Sequence, residues 1–185
     1  MVEEIKKDVK HRMEAAVESV RGELARLRTG KATPAILDGI VVNYYGTNTP
    51  LRQAANVSAP EPRLLVIQPW DRSLLGEIEK AIQKSDLGFN PTNDGIVVRI
   101  PIPQLTEERR ITLVKVAKKV AEEGRVAIRN VRRDGIERLK KLEKDSEISE
   151  DEMHRGQDAL QTMTDDLIKK IDETLVLKEK DIMEV

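Results

Sequence analysis

The chain has no cysteine, which excludes disulfides, thiolate metal sites and cysteine nucleophiles. Aromatic residues are almost as scarce. Trp70, Phe89, Tyr44 and Tyr45 make up 2% of the 185 residues. A core must therefore come from Leu, Ile, Val, Ala and Met, which favours thin helix-on-helix packing. Only 2 histidines occur, His11 and His154, and neither belongs to an H-x-x-x-H pattern, so no metal site is expected. Phosphate-loop glycines are missing too: Thr29-Gly30-Lys31-Ala32 holds a Gly-Lys pair without the leading glycine or a preceding strand. There is no G-x-S-x-G elbow. Apolar runs stay far below the roughly 20 residues of a membrane span. The N-terminal segment lacks the continuous apolar stretch of a secretory signal. The expectation is a cytoplasmic protein with neither a catalytic site nor a cofactor.

What the chain has in abundance is charge, 35% of its residues, with a formal net of only −1. That average hides an asymmetry. Residues 105–144 carry 13 basic and 7 acidic side chains, a net of +6, while residues 145–185 carry 5 and 13, a net of −8. A basic segment inside a faintly acidic chain can bind nucleic acid. Equally, a basic and an acidic helix can attract each other, and both can hold because a helix has more than one face.

Periodicity divides the chain into three parts. Residues 2–28 read as one amphipathic helix, with Ile5, Val9, Met13, Ala16, Val20, Leu24 and Leu27 at spacings of three and four. Thr29-Gly30 is its stop, with Arg26 and Arg28 in the last turn. From Gly30 to Gln104 the chain holds all 8 prolines and 6 of the 10 glycines. Strands are expected at 39–45, 63–68 and 95–100, shorter extended pieces near Ala54–Val57 and Gly88–Asn90, and a helix at about 72–84 with Asp71 as N-cap. After Gln104 the helical period returns. Leu113, Ala117, Val120, Gly124, Ile128, Val131, Gly135, Leu139 and Leu142 trace a near-heptad seam to about Lys144. Ser149-Glu150-Asp151-Glu152 is a capping box that starts a last helix. Its seam is Met153, Gly156, Leu160, Met163, Leu167, Ile171, Thr174 or Leu175, and Ile182. Gly124, Gly135 and Gly156 each cost about 1 kcal/mol against Ala within a helix, and close helix–helix approach is the expected compensation.

The fold class that follows is α+β: a long antiparallel three-helix bundle (1–29 plus 106–185) with an inserted small β/α/β domain (30–105). Two adjacent linkers join the parts, so the small domain is expected to swing about a hinge.

Within the basic segment, Arg125, Arg129, Arg132 and Arg133 fall at i, i+4, i+7 and i+8. At about 100° per residue they share one stripe roughly 100° wide, beside the apolar seam. Guanidinium groups are planar, permanently charged and suited to bidentate phosphate contact. Arg138, Lys140, Lys141 and Lys144 extend the charge, and Asn130 is placed to reach bases or a 2′-hydroxyl or simply to add polarity. The bland reading is a solvated face on which Glu122, Glu123 and Glu137 form i,i+4 pairs. The local excess of positive charge tips the balance toward phosphate binding. With so few aromatics to stack on single-stranded bases, shape and phosphate readout of folded RNA fits better than sequence readout.

Five stretches carry a family resemblance: 27–32 (Leu-Arg-Thr-Gly-Lys-Ala), 44–46 (Tyr-Tyr-Gly), 85–88 (Ser-Asp-Leu-Gly), 105–110 (Leu-Thr-Glu-Glu-Arg-Arg) and 128–134 (Ile-Arg-Asn-Val-Arg-Arg-Asp). Together they resemble the ribosome recycling factor family over essentially the whole chain. Lys31 departs from the family's frequent Arg, which keeps the charge and loses the bidentate fork. The resemblance implies an L of two domains with tRNA-like dimensions. It implies a monomer that binds the post-termination ribosome along large-subunit ribosomal RNA. Such a factor splits the subunits with elongation factor G and GTP hydrolysis by that factor. It places ribosomal-RNA contacts on Arg28, Arg129, Arg132 and Arg133. It places a hinge on Thr29, Gly30, Lys31, Pro103, Gln104, Leu105 and Thr106. Two other classes compete: a coiled-coil chaperone or scaffold, whose client binding would depend weakly on salt, and an enzyme with the small domain as its catalytic module.

Overall fold

The structure is a computed structural model and describes residues 1–184. In chain order the elements are α1 (Val2–Arg26), a 3₁₀ turn (Pro34–Leu37), β1 (Val41–Tyr44), β2 (Thr47–Pro50), α2 (Leu51–Ala54), β3 (Ala55–Glu61), β4 (Leu64–Pro69), a second 3₁₀ turn (Arg72–Leu74), α3 (Leu75–Lys84), β5 (Thr92–Asn93), β6 (Val98–Pro101), α4 (Glu107–Lys144) and α5 (Glu150–Met183). They form two compact units, Met1–Thr29 with Glu107–Val185, and Gly30–Thr106.

The first unit is a bundle in which α1, α4 and α5 pack pairwise. Spacings of three and four put Ile5, Val9, Met13, Val17, Val20 and Leu24 on one buried face of α1. The facing stripes are Leu113, Ala117, Ala121, Gly124, Ile128, Gly135 and Leu139 on α4, and Met153, Gly156, Leu160, Thr164, Leu167, Ile171, Leu175 and Ile182 on α5. Val17 is buried where Ala16 is half-buried, and Thr164 where Met163 is half-buried. The Thr164 hydroxyl is satisfied within its own helix, donating to the Leu160 carbonyl at 2.7 Å.

The seam glycines sit where the helices meet most closely. A Cβ on Gly124 would lie 2.3 Å from Val20 Cγ2, one on Gly135 would lie 2.7 Å from Val9 Cγ2 and 2.8 Å from Leu160 Cδ1, and one on Gly156 would lie 2.9 Å from Leu139 Cδ1. None of these gaps admits a methyl group, so backbone approach is what these residues supply.

Helix ends follow local chemistry. α1 stops at Arg26 rather than Arg28, because Leu27 turns extended while its N–H closes a 3.2 Å bond to the Leu24 carbonyl. Arg28 therefore lies beyond the helix and not in its last turn. α4 ends in a Schellman pattern: Ser146 takes φ +56°, its N–H bonds the Glu143 carbonyl, and the Glu147 N–H bonds the Leu142 carbonyl. The capping box at the start of α5 is complete. The Ser149 hydroxyl accepts from the Glu152 N–H at 3.2 Å, and the Glu152 carboxylate accepts from the Ser149 N–H at 2.8 Å. The Ser149 N–H, and after it the Ser149 hydroxyl donating at 2.9 Å, hold the Glu152 carboxyl below its ordinary pKa.

The second unit has a four-stranded antiparallel sheet in the order β3-β4-β6-β5 and a separate β1-β2 hairpin. Alternation along β4 and β6 buries Leu65 and Ile67 opposite Ile100 and Val98. Leu75, Ile78 and Ile82 of α3 join them in one core with Leu37, Val42, Leu51 and Phe89. Asp71 caps the 3₁₀ turn that leads into α3, accepting from the Ser73 N–H at 2.9 Å. The hairpin loop is Tyr45-Gly46, both at positive φ, as a two-residue type I′ connection requires. Gly88–Asn90, expected as an extended piece, belongs to no strand; the edge strand is Thr92–Asn93, which bonds to β6.

Candidate nucleic-acid interface

The four stripe arginines lie on one flank of α4, next to α5, and they are neutralised to different degrees. Arg125 is the most engaged. It holds Asp172 of α5 through Nε at 2.8 Å and Nη2 at 2.6 Å, and Glu122 through Nη1 at 3.0 Å. Its side chain is only 20% exposed. Burial disfavours the charged guanidinium, but Asp172 and Glu122 outweigh it and raise the pKa. Arg125 is thus committed to tying α4 to α5. Arg129 keeps one contact, Nη1 to Glu122 Oε1 at 3.2 Å. Glu122 is shared by both arginines, which lowers its pKa, chiefly through Arg125 and then Arg129. Arg132 meets no carboxylate among the described residues: its Nη1 donates to the neutral amide oxygen of Gln161 on α5 at 2.9 Å. Arg133 is exposed, and no acidic partner reaches it among the described residues.

Neutralisation therefore falls along the stripe from Arg125 to Arg133. The i,i+4 pairing expected of Glu122, Glu123 and Glu137 takes a different form, since Glu122 alone bonds the stripe, at i+3 and i+7. Two other cations of the basic segment are withdrawn from it. Arg138 sits on the opposite side of the seam and pairs with Asp8 of α1, so it does not extend the stripe. Arg110 is 9% exposed and donates to the Met183 carbonyl at 3.4 Å, near the end of α5. Arg12 and Asp134 form a second α1–α4 pair, which raises the pKa of Arg12. Asn130 is exposed on α4. Arg28, also exposed, follows the end of α1.

Gln161 and Asp172 complete the geometry, and neither was a candidate from sequence. Local spacing on α4 says nothing about them. The signal was the seam register: Gly135 faces Leu160 and Gly124 faces Ile171, which puts Gln161 and Asp172 one residue further on, beside the arginine flank.

The candidate hinge residues are held differently from one another. Gly30 has φ +75°, a backbone state that favours glycine, and a Cβ there would lie 3.0 Å from Leu105 Cγ. Both crossings bond to the turn between β3 and β4. Ala32 donates to the Pro62 carbonyl at 2.7 Å, Ile102 donates to the Arg63 carbonyl at 2.8 Å, and Arg63 Nη1 donates to Gln104 Oε1 at 3.0 Å. Pro103 and Gln104 are exposed, Leu105 half-buried, and α4 begins directly after Thr106.

No helix among the described residues is long and apolar enough to cross a membrane, and no acidic or histidine cluster among them could hold a metal ion.

Comparison with known proteins gives a single answer. The family model described as "Ribosome recycling factor" matches residues 20–183. The ribosome-recycling factor of Carboxydothermus hydrogenoformans is 58% identical over 185 residues, covering 100% of both chains. That of Halothermothrix orenii is 56% identical with the same coverage. A solution structure of a ribosome recycling factor superposes with TM-score 0.80 at 43% identity, covering 100% of this chain and 98% of that one. The T. thermophilus recycling factor, placed with E. coli elongation factor G on the E. coli post-termination complex, matches with TM-score 0.65 at 48% identity and 99% coverage of each chain. The chain belongs to the ribosome recycling factor family.

Proposed function

We propose that this chain binds the post-termination ribosome and, with elongation factor G and GTP hydrolysis by that factor, splits the ribosome into its subunits. The bundle anchors on large-subunit ribosomal RNA through Arg129, Arg132 and Arg133, with Arg28 contributing nearby. The observation that carries the anchor is the falling neutralisation along α4. Among the described residues Arg132 and Arg133 have no carboxylate partner, and each keeps most of its N–H donors for phosphate oxygens. Full ionic pairing along the stripe would have argued for a purely structural role.

The pivot comprises Thr29, Gly30, Lys31, Pro103, Gln104, Leu105 and Thr106. The bonds to Pro62 and Arg63 support a division of labour within it. They tether Ala32, Ile102 and Gln104 to the small unit, so those residues move with it. Elongation factor G drives the small unit, and the anchored bundle turns that motion into displacement of a contact between the subunits. The chain acts as a cytoplasmic monomer and performs no covalent chemistry of its own. The free energy comes from the GTPase.

Ribosome co-sedimentation over a salt series tests the anchor. Three phosphate contacts give a log–log slope of roughly −2.7, a loss of roughly 40-fold in affinity between 50 and 200 mM salt. Arg132→Glu lowers both the affinity and the slope while leaving the thermal melt in place. Unchanged co-sedimentation of a folded Arg132→Glu protein overturns the assignment.

A further inference from the structure

Arg125 and Arg132 stand two helical turns apart on the same flank of α4, about 10 Å along the axis, and both reach across to α5. The group that receives each is different. Asp172 receives Arg125 as a direct ion pair, with N–O distances of 2.8 and 2.6 Å. Gln161 receives Arg132 through its amide oxygen at 2.9 Å. The other end of that amide is also used: Nε2 donates to Asp165 Oδ1 at 2.8 Å. The two bonds fix which way the amide points, because the reverse orientation would set an NH₂ against the guanidinium and an oxygen against the carboxylate. Gln161 therefore bridges a cation and an anion, one held at each end of its amide. It holds one of the five guanidinium N–H donors and leaves the charge uncompensated.

We infer that Gln161 is a positioning residue of the RNA interface: its amide orients Arg132 toward the phosphate backbone and holds Asp165 at its other end. This rests on Arg132 being a ribosome contact, as proposed above. Had a carboxylate stood at 161, Arg132 would repeat the Arg125 arrangement and its charge would be absorbed by the bundle.

The experiment is a double-mutant cycle on the full chain, read by co-sedimentation with purified ribosomes over a salt series. The proteins are wild type, Gln161→Glu, Arg132→Ala and the double variant. Gln161→Glu is nearly isosteric and exposed, but it replaces the amide bond to Asp165 by an i,i+4 carboxylate pair, so its melting midpoint should fall by only about 1–2 °C. It should weaken binding about fivefold at 0.1 M salt, the upper range for an exposed ion pair withdrawing one cation. It should also reduce the salt slope by about one contact. In the Arg132→Ala background the same substitution should change neither quantity, because the cation it acts through is gone. A Gln161→Glu protein that binds with wild-type slope, or one that loses as much affinity without Arg132 as with it, overturns the inference. If Arg132→Ala itself binds like wild type, it is the underlying interface assignment that fails, and the cycle reports that separately.

Discussion

Gly124 lies in α4 where it meets α1 and α5, and adding one methyl group there has a predictable sign. The new Cβ would stand 2.3 Å from Val20 Cγ2 and 3.2 Å from Ile171 Cδ1. Carbon atoms rest at about 3.5–4.0 Å, so the first contact is more than an ångström too short. Val20 cannot yield: it is 4% exposed, and a β-branched side chain in a helix has essentially one rotamer. Ile171 is fully buried as well. The helices must separate instead, at an overpacking cost of about 3 kcal/mol, the upper part of the usual range. Alanine's higher helix propensity returns about 1 kcal/mol. Gly124→Ala should therefore destabilise the bundle by about 2 kcal/mol. Gly22, in α1, is the control, because nothing lies within 4 Å of its would-be Cβ. There only the propensity acts, and Gly22→Ala should stabilise by about 1 kcal/mol. Urea unfolding followed by far-UV circular dichroism measures both. At about 2–4 °C per kcal/mol the melting midpoints should move down by about 4–8 °C and up by about 2–4 °C. A Gly124→Ala protein as stable as wild type, with an unchanged urea slope, would refute the close-approach account of the seam glycines.

The remaining predictions concern the caps, one acidic turn and the pivot. Ser149→Ala removes the hydroxyl arm of the capping box and should cost about 1 kcal/mol, seen as a lower urea midpoint for the bundle. Asp94 accepts from the Val97 N–H, pairs with Arg99 and accepts from the Ile96 N–H, which together lower its pKa from 3.8 to about 2. A depressed folded-state pKa gives stability that is present above pH 3.8 and disappears as the pH falls toward 2. Acid titration of the melting midpoint should thus fall less steeply in that window for Asp94→Asn than for wild type, and identical slopes would contradict the turn's role. Inserting Gly-Ser after Thr29 and again after Leu105 should leave ribosome co-sedimentation intact and slow subunit splitting with elongation factor G. Splitting at the wild-type rate would remove the case for a lever.

How much of this was written in the sequence depends on how local the cause is. The three long helices were legible because each carries its own period and its own caps, and Ser149 with Glu152 marked the start of α5 to the residue. The seam was legible to within a position: Ala121 is buried and Val120 half-buried, because a straight helix drifts away from a strict heptad. The small unit was less so. β2 and α2 cover residues 47–54 in four-residue pieces, too short for any period, and are defined by pairing with β1 and by the burial of Leu51 and Ala54. An extended piece was expected at Gly88–Asn90. Phe89 does enter the core, but the strand that pairs with β6 is Thr92–Asn93, three residues later. Along α4 the shared flank of Arg125, Arg129, Arg132 and Arg133 follows from helix geometry alone. Their unequal partners do not, since Asp172 and Gln161 come from a helix 29–47 residues away in sequence.

That inequality bears on why a chain with so acidic a last helix can present a basic surface at all. α5 belongs to a segment with a net charge of −8, and it packs against α4 along almost its whole length. Indiscriminate pairing would cancel the stripe and leave a well-tied bundle with no field outside it. The residues of α5 that share the flank facing the stripe run Asp172, Ile168, Asp165, Gln161, by the three- and four-residue spacing of a helix. Of these, Asp172 takes one arginine outright, Ile168 has no charge to offer, and Asp165 is engaged by the amide of Gln161. The acids of α5 therefore cancel Arg125 and stop there. Cohesion of α4 with α5 is drawn from one end of the stripe and the external field from the other, and the register set by Gly124 and Gly135 is what keeps those two uses on separate residues.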